Sequence, residues 1–355
     1  MSPLNNLPNN PHAIIEISRE GFADGQSMVV WDSWQSPRLF QSCKIELSTN
    51  ETSEARWEFF DPKFRVIDGF SGADAIPQAT VRVFLGYGQE LGEPVFKGLL
   101  AQVERGEANT TFIAFDMGFK MKLIKKAGYQ NKKGDVAILK TLATRNGLKF
   151  EGPEKPLNLE PYRALTQDEQ TDWEHALERA RDAGLVIFVR QDTLFAKTPA
   201  KTGTPVLMLE NHKDFVMQST WDFTYRTPEN QDGRPRVVKR RGRGKGGKRL
   251  EGESDKANRG HESVVLKRDT PGKHSKSKLT RRAQAQKELE REHAFEGTLE
   301  TVFPLMGERL DVRNTVQIEG IGKLFSGKYI CDSVGYQFEP GKLNVNLDLY
   351  RDIAV

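Results

Sequence analysis

The sequence has few of the residues on which metal binding and disulfide bonding depend. Its 355 residues include two cysteines and six histidines. Cys43 and Cys331 stand nearly the whole chain apart, each in a stretch where apolar and polar residues alternate. We therefore expect two buried, reduced thiols and no disulfide. No two histidines have a spacing that would place them on one helix face, so we expect no metal site.

Long apolar runs are also missing. The longest, Leu185 to Val189, is far shorter than the roughly 18 residues that cross a bilayer, so we expect no membrane contact. Met1 to Pro11 is rich in Asn and Pro and lacks the basic start of a secretory signal, which predicts an extended or poorly ordered arm. These features fit assembly in a reducing cytoplasm.

Motifs for catalysis are absent or incomplete. There is no Gly-x-Ser-x-Gly elbow, and the carboxylates do not cluster among apolar residues as an acid/base pair would. Gly242 to Lys248 matches the first seven positions of a phosphate-binding loop. Arg249 stands where that loop needs a Mg²⁺-binding Ser or Thr, so the match is accidental. We therefore expect that the protein is not an enzyme, and that it has no catalytic residue and no cofactor.

The charge is unevenly distributed. The chain has a net charge of +4, but 230–293 contains 20 Lys and Arg against 9 Asp and Glu, a net of +11. The remainder therefore carries −7. This pattern indicates a mildly acidic body with one basic insert, which we place at 231–277.

The centre of the insert is a basic segment, 236–249, with eight basic residues and no acidic one. These candidate contact residues for a polyanion or other partner are Arg236, Lys239, Arg240, Arg241, Arg243, Lys245, Lys248 and Arg249. One interpretation is an electrostatic arm for nucleic acid or an acidic partner. The other, which we favour, is a solvated surface loop. No aromatic residue is interleaved, so stacking on bases is not supported.

Alternation of apolar and polar residues predicts strands in the first third of the chain. Ala13 to Ser18, Cys43 to Ser48 and Val81 to Leu85 each alternate with a period of two, and Gly-rich turns separate them. Several short strands joined by turns are typical of a barrel or sandwich. We assign 1–115 to a first β-barrel.

The pattern changes after Asp116. A helix is predicted from Asp135 to Gly147, and a second begins at Thr171, whose spacing from Glu174 is that of a capping box. A hairpin follows between Leu185 and Lys197. We therefore assign 116–200 to a small α+β module.

The last part returns to strands. Tyr329 to Phe338 and Leu343 to Tyr350 alternate around a Pro340-Gly341 turn, as expected of a half-buried antiparallel hairpin. We assign 201–355 to a second β-barrel, interrupted by the basic insert at 231–277 and a charged helix at 278–293. The predicted fold class is mainly β with α+β.

Two stretches resemble the late-control D-like hub proteins of contractile phage tails. Thr166 to Lys197 has that family's capped helix, Gly end and hairpin closing on Leu-Phe. Lys278 to Asp352 has a charged helix, the step Phe325-Ser326-Gly327-Lys328-Tyr329 and a closing strand that ends at Leu347-Asp348-Leu349-Tyr350-Arg351. With the β-rich N-terminal part, the resemblance covers most of the chain.

The resemblance implies a structural baseplate hub. Two tail-tube-like barrels would flank the α+β module, and a homotrimer would form a ring that joins a hexameric tail tube to a trimeric spike. Implied partners are the tail tube protein, the spike protein, the baseplate wedge proteins and a tape-measure protein, with no specific nucleic acid and no membrane. The implied location is the virion tail baseplate, or a phage-derived injection particle, assembled in the host cytoplasm. Two alternatives stay open: a nucleic-acid-binding protein acting through 236–249, and a tail-tip cell-wall hydrolase.

Overall fold

The computed structural model describes residues 11–19, 28–63, 79–88, 91–130, 133–154, 157, 165–211, 220–225, 236–243, 248–253, 264–273, 276–289, 295–302 and 309–351. Its strands are β1 (Pro11–Arg19), β2 (Met28–Asp32), β3 (Phe40–Ser48), β4 (Glu54–Phe60), β5 (Ala79–Tyr87), β6 (Phe96–Arg105), β7 (Asn109–Asp116), β8 (Lys125–Gln130), β9 (Lys149–Glu151), β10 (Leu165–Thr171), β11 (Val186–Arg190), β12 (Thr193–Lys197), β13 (Leu207–Glu210), β14 (Thr220–Tyr225), β15 (Arg236–Arg243), β16 (Arg249–Glu253), β17 (Val264–Lys273), β18 (Phe295–Val302), β19 (Thr315–Glu319), β20 (Gly327–Glu339) and β21 (Lys342–Arg351). The helices are α1 (Asp135–Arg145), α2 (Asp172–Ala183) and α3 (Lys276–Leu289), with a 3-10 helix at Met117–Lys122.

The chain forms two compact units. The first contains 1–119, 202–224 and 296–351, and the second contains 120–201, 225–295 and 352–355. The predicted fold class, mainly β with a small α+β part, is confirmed. The three predicted domain boundaries remain a prediction, and the predicted arm at the N-terminus lies almost wholly outside the described residues.

The described strands of the first unit form one sheet of 13 strands. Its order is β14-β18-β21-β20-β3-β4-β7-β6-β5-β1-β2, with β19 pairing to β20 and β13 to β19. The alternation predicted for β3 is real, because Cys43, Ile45 and Leu47 are buried while the residues between them are more exposed. The basic insert falls between β14 and β18, so it does interrupt the second β region.

Aromatic side chains fill the interior of the first β region. Trp57 and Phe112 stack with ring centroids 5.5 Å apart, and Phe59 packs edge-on to Phe40. Phe40 in turn meets Phe338 of β20 at 5.3 Å. The two β regions therefore share one apolar core as well as one sheet.

The sheet contains the same strand order twice. In the first β region five adjacent strands run β3-β4-β7-β6-β5, and in the second they run β14-β18-β21-β20-β19, each pair occupying the same place in chain order. A bulge interrupts β6 between Leu100 and Gln102, and a bulge interrupts β20 between Cys331 and Ser333. The next position differs, since β1 lies antiparallel to β5 whereas β13 lies parallel to β19.

The long strand β20 joins the two β regions. On one side it pairs with β21 along most of its length. On the other side its first residues pair with β19, and Ser333 to Phe338 then pair antiparallel with β3. One strand thus belongs to both halves of the sheet.

The bounds of α2 in the second unit agree with the sequence prediction. Thr171 and Glu174 form the capping box, and Gly184 ends α2 in the left-handed conformation, with φ of 70°. The following hairpin pairs Val186–Arg190 with Thr193–Lys197. The α3 helix covers Lys276–Leu289, where the sequence predicts a helix at 278–293.

Candidate interaction site in the basic segment

The described residues of the basic segment, apart from Lys248, form strands and not a loop. β15 pairs antiparallel with β16 and parallel with β17. The α3 helix packs against this sheet, and its Leu279 lies so close to Gly252 of β16 that no side chain would fit there. The interpretation of 236–249 as a solvated loop is therefore wrong for the strands, since the segment is built into the second unit.

The eight predicted contact residues have different environments. The side chains of Lys239, Arg240, Arg241, Lys248 and Arg249 are described. Arg236 and Arg243 lie in β15, and only their backbone is described, while Lys245 falls outside the described residues. The segment is therefore not one uniform basic patch.

Arg240 belongs to a buried network of charges. Only 1% of its surface is exposed, and its Nη2 donates to Asp182 Oδ1 of α2 at 3.0 Å. Arg179, one turn before Asp182 on the same helix, reaches Asp182 Oδ2 from its Nη1 at 3.0 Å. The strand and the helix are thereby joined through one shared carboxylate.

The network continues to the other two helices. Arg282 of α3, 1% exposed, donates from Nη2 to Asp135 Oδ2 at 2.6 Å, and its Nη1 donates to the backbone oxygen of Asp182 at 3.2 Å. Asp135 begins α1 and also lies 3.8 Å from Arg179 Nη1. Glu178 adds a third carboxylate on Arg179. Three arginines thus pair with three carboxylates, so each buried charge has an opposite charge beside it.

We call Asp135, Arg179, Asp182, Arg240 and Arg282 the buried arginine network. Its members come from four elements, α1, α2, β15 and α3, and the first and last residues are 147 positions apart. Sequence analysis missed it, because each residue alone looks like an ordinary charged surface residue. A charged residue at an otherwise apolar helix position, such as Arg179 between Ala176 and Ala180, was the available signal.

The other described basic side chains of β15 are also paired within the chain. Lys239 Nζ lies 2.6 Å from Glu253 and 3.5 Å from Glu251. Arg241 Nε donates to Glu251 at 2.8 Å. The hydrogen bond to Glu253 raises the pKa of Lys239, and the hydrogen bond from Arg241 lowers the pKa of Glu251. Lys248 and Arg249 are exposed to solvent.

A second buried carboxylate organises the start of α2. Asp172 accepts from Asn146 Nδ2 at 2.7 Å and from Gln167 Nε2 at 3.0 Å, and Arg145 binds it through two nitrogens. Burial alone would raise the pKa of Asp172, but these hydrogen bonds and the charge of Arg145 lower it below the ordinary value. These hydrogen bonds connect β10, α1 and α2. They also occupy both oxygens of the Asp172 carboxylate.

His175 lies near this carboxylate, with 1% of its surface exposed. Its Nδ1 lies 3.3 Å from Gln170 Oε1. Burial, and then the charge of Arg179, lower the pKa of His175 to about 4, against an opposing effect of Glu178. The imidazole is therefore neutral at physiological pH, as a packed core residue would be.

Features of a reactive site are sparse in the described residues. They contain no group of three or more potential metal ligands. A groove of about 350 Å³ in the first unit is lined by Pro11, Ser33, Trp34, Pro37, Phe40, Phe338, Pro340 and Gly341, none of which has a titratable side chain. Burial raises the pKa of both Cys43 and Cys331, so neither thiol is activated as a nucleophile. No described helix is long and apolar enough to cross a membrane.

The fold is that of phage tail proteins. The chain superimposes on a 43 kDa tail protein of prophage MuSo2 from Shewanella oneidensis with a TM-score of 0.61 and 13% identity, covering 95% of this chain and 98% of that one. A tail protein from Neisseria meningitidis MC58 gives a TM-score of 0.64 and 12% identity, covering 96% and 97%.

A secretion-system component shares the fold as well. It is an Escherichia coli protein of the type VI secretion system, described as structurally similar to the T4 bacteriophage tail proteins gp27 and gp5. The TM-score is 0.56 at 8% identity, over 94% of this chain and 76% of that one. A search of curated proteins found no match.

The sequence itself matches one family model. The model of the Alg8 N-terminal domain covers residues 38–339, which is most of the chain. The protein therefore belongs to the Alg8 N-terminal domain family.

Proposed function

We propose that the chain is a structural baseplate hub of a contractile phage-like tail, a trimeric ring that adapts the hexameric tail tube to the trimeric spike. The observation that carries the proposal is the strand order that occurs twice in one sheet, on a fold shared with phage tail proteins. Three copies of a chain with two near-equivalent β regions offer six near-equivalent docking positions. A closed ring of this kind needs head-to-tail contacts between copies.

The proposed partners are those that the resemblance to hub proteins implies. One face of the ring meets the tail tube protein and the other seats the spike protein, with baseplate wedge proteins around the rim. The basic insert is proposed to lie outside the ring or to meet a tape-measure protein. The proposed location is the tail baseplate of a virion or of a phage-derived injection particle, assembled in the host cytoplasm.

The test is the assembly state of the purified full chain. Light scattering coupled to gel filtration is expected to give three times the 40.2 kDa mass of one chain, and negative-stain class averages are expected to show rings. Co-sedimentation with the tail tube protein and the spike protein should retain both. A strict monomer at high concentration that binds neither protein would overturn the proposal.

The nucleic-acid alternative is less well supported. Lys239, Arg240 and Arg241 are already paired with carboxylates of the same chain, so fewer cations remain for phosphates. The matched variant is Lys248→Glu with Arg249→Glu, since both residues are exposed. Under the hub proposal this double variant still assembles, whereas DNA binding required for function would make it inactive in tail assembly.

The hydrolase alternative lacks a site in the described residues. The groove in the first unit has no acid or base in its lining, and the buried carboxylates Asp135 and Asp172 are bound by arginines. We propose a non-enzymatic protein for this reason. A zymogram on cell-wall substrate should stay blank, and a lytic band from pure protein would contradict the proposal.

A further inference from the structure

The junction between the two β regions within one chain provides a template for a junction between chains. Within the chain, β3 pairs antiparallel with β20. Ser333 to Phe338 of β20 lie opposite Ser48 to Cys43 of β3. The repeated strand order makes β14 the counterpart of β3 and β6 the counterpart of β20. A ring in which every junction is alike would therefore pair β14 of one copy with β6 of the next.

The bulges show which residues of β6 correspond to which residues of β20. In β20 the residues before the bulge pair with β19, and those after it pair with β3. In β6, Phe96 to Leu99 likewise pair with β5, and the bulge follows. Gln102, Val103 and Glu104 then correspond to Ser333, Val334 and Gly335.

Among the described strands, these β6 residues have one edge without a paired strand. Beyond the bulge β6 pairs with β7 on one side, and among the described strands nothing pairs with Gln102 to Glu104 on the other. In β20 the equivalent edge is filled by β3. Unpaired backbone donors and acceptors in a row are a template for another strand.

The counterpart strand β14 also has one edge without a paired strand among the described residues. It stands at one end of the described sheet, where its only described neighbour is β18. Trp221 is 43% exposed, whereas the equivalent face of β3 is buried with Ile45 at 0%. An exposed large aromatic on an edge strand marks a contact surface, because it would lose its contact with water when a second strand packs beside it.

We infer that copies of this chain join head to tail by antiparallel pairing of β14 of one copy with Gln102 to Glu104 of β6 of the next. This inference rests on the proposed ring. Alternation places Val103 on the same face as Trp221 and Phe223, and Gln102 and Glu104 on the face of Asp222. The intermolecular ladder is shorter than the in-chain one, because β6 ends at Arg105 while β20 continues to Glu339.

Disulfide trapping tests the pairing directly. Gln102→Cys is combined in one chain with Asp222→Cys, or with Thr220→Cys or Thr224→Cys to scan the register. The native Cys43 and Cys331 are buried and stay in place. After mild oxidation at least one combination is expected to give covalent dimers and trimers on a non-reducing gel. The single-cysteine variants, and Gln102→Cys with Met208→Cys on another exposed edge strand, should not.

A charge substitution provides the second measurement. Trp221→Glu is expected to raise the dissociation constant of the ring at least tenfold, and the matched Met208→Glu, at a residue 67% exposed, is expected to leave it unchanged. Circular dichroism checks that both variants fold. Trimers that neither crosslink nor respond to Trp221→Glu would overturn this inference and leave the hub proposal standing. A wild-type chain that stays monomeric at high concentration and binds neither the tail tube protein nor the spike protein would overturn both.

Discussion

Arg282 shows how a long basic side chain becomes a structural residue. It is buried on α3 and bound to Asp135, while its neighbour Arg281 is exposed on the same turn. Two adjacent residues of one type therefore have opposite roles, and the difference depends on which face of α3 packs against the rest of the second unit. The buried arginine network holds α1, α2, α3 and β15 together through these contacts.

Replacing Arg282 tests the network. Arg282→Met leaves the Asp135 carboxylate buried without this partner, which is expected to cost about 3–5 kcal/mol of unfolding free energy. Arg281→Met, the matched control, is expected to change stability by less than about 0.5 kcal/mol. Urea denaturation followed by hydrogen exchange of peptides from α1 and α2 measures both. Equal stability of the two variants would show that the network contributes little.

His175 predicts acid sensitivity. Its pKa is lowered from 6.5 to about 4, so the unfolded chain takes up a proton at a higher pH than the folded chain does. Stability from this residue is complete above pH 6.5 and is lost as the pH falls toward 4. The full difference corresponds to roughly 3 kcal/mol.

The measurement is denaturant unfolding of the second unit at several pH values between 4 and 8. The wild-type protein is expected to lose stability below pH 6.5, and His175→Gln is expected to flatten that part of the profile. Between pH 7 and pH 8 the two profiles should run parallel. A steep acid loss that persists in His175→Gln would assign the effect to other groups.

At the scale of elements, α2 depends on its ends. Thr171 Oγ1 accepts from the backbone N–H of Glu174, and the backbone N–H of Thr171 donates to Glu174 Oε2 at 2.8 Å. That backbone hydrogen bond is the main reason why the pKa of Glu174 is lowered. Thr171→Ala removes the cap and is expected to destabilise the second unit by about 1 kcal/mol.

Thr144→Ala is the matched control for the cap. Thr144 is exposed near the end of α1, and its hydroxyl binds only the Lys140 carbonyl one turn back. Its loss is expected to be neutral or slightly stabilising, since alanine is the better helix former. Thermal unfolding of the two variants decides the matter, and equal shifts would mean that the capping box is dispensable.

Elements with a local signal could be predicted from the sequence. The capping box, Gly184 and the alternation of apolar and polar residues in β21 each reflect a backbone requirement in neighbouring residues. The strands of the basic segment could not be predicted. Their apolar support comes from α3, and their charges are compensated by Asp182, which lies 58 residues before Arg240. Charge pairing between residues so far apart in the sequence produces no periodic pattern from which the strands could be predicted.

At the scale of the whole molecule, assembly should couple to stability. If chains associate only when folded, mass action makes the apparent unfolding temperature rise with protein concentration. A tenfold increase in concentration is expected to raise it for the wild-type chain, and much less for Trp221→Glu. Differential scanning calorimetry at two concentrations measures the shift. A wild-type value that does not depend on concentration would indicate that the subunits do not associate in this range.

The repeated strand order was only partly visible in the sequence. Both β regions show alternation, which predicts strands, but alternation does not say which strands become neighbours. The correspondence of β6 with β20 appears only once their bulges and partners are known. The two strands share no obvious sequence, because pairing through backbone groups places few demands on side chains.

The position of β20 near the far end of the chain has a consequence during synthesis. β3 is made early, yet its partner residues Ser333 to Phe338 emerge from the ribosome some 290 residues later. At about 5–20 residues per second that delay is roughly 15 to 60 s. Throughout this interval the edge of β3 that later pairs with β20 lacks its native neighbour, and an unpaired strand edge is a site of aggregation, so the nascent chain is at risk until translation is nearly complete.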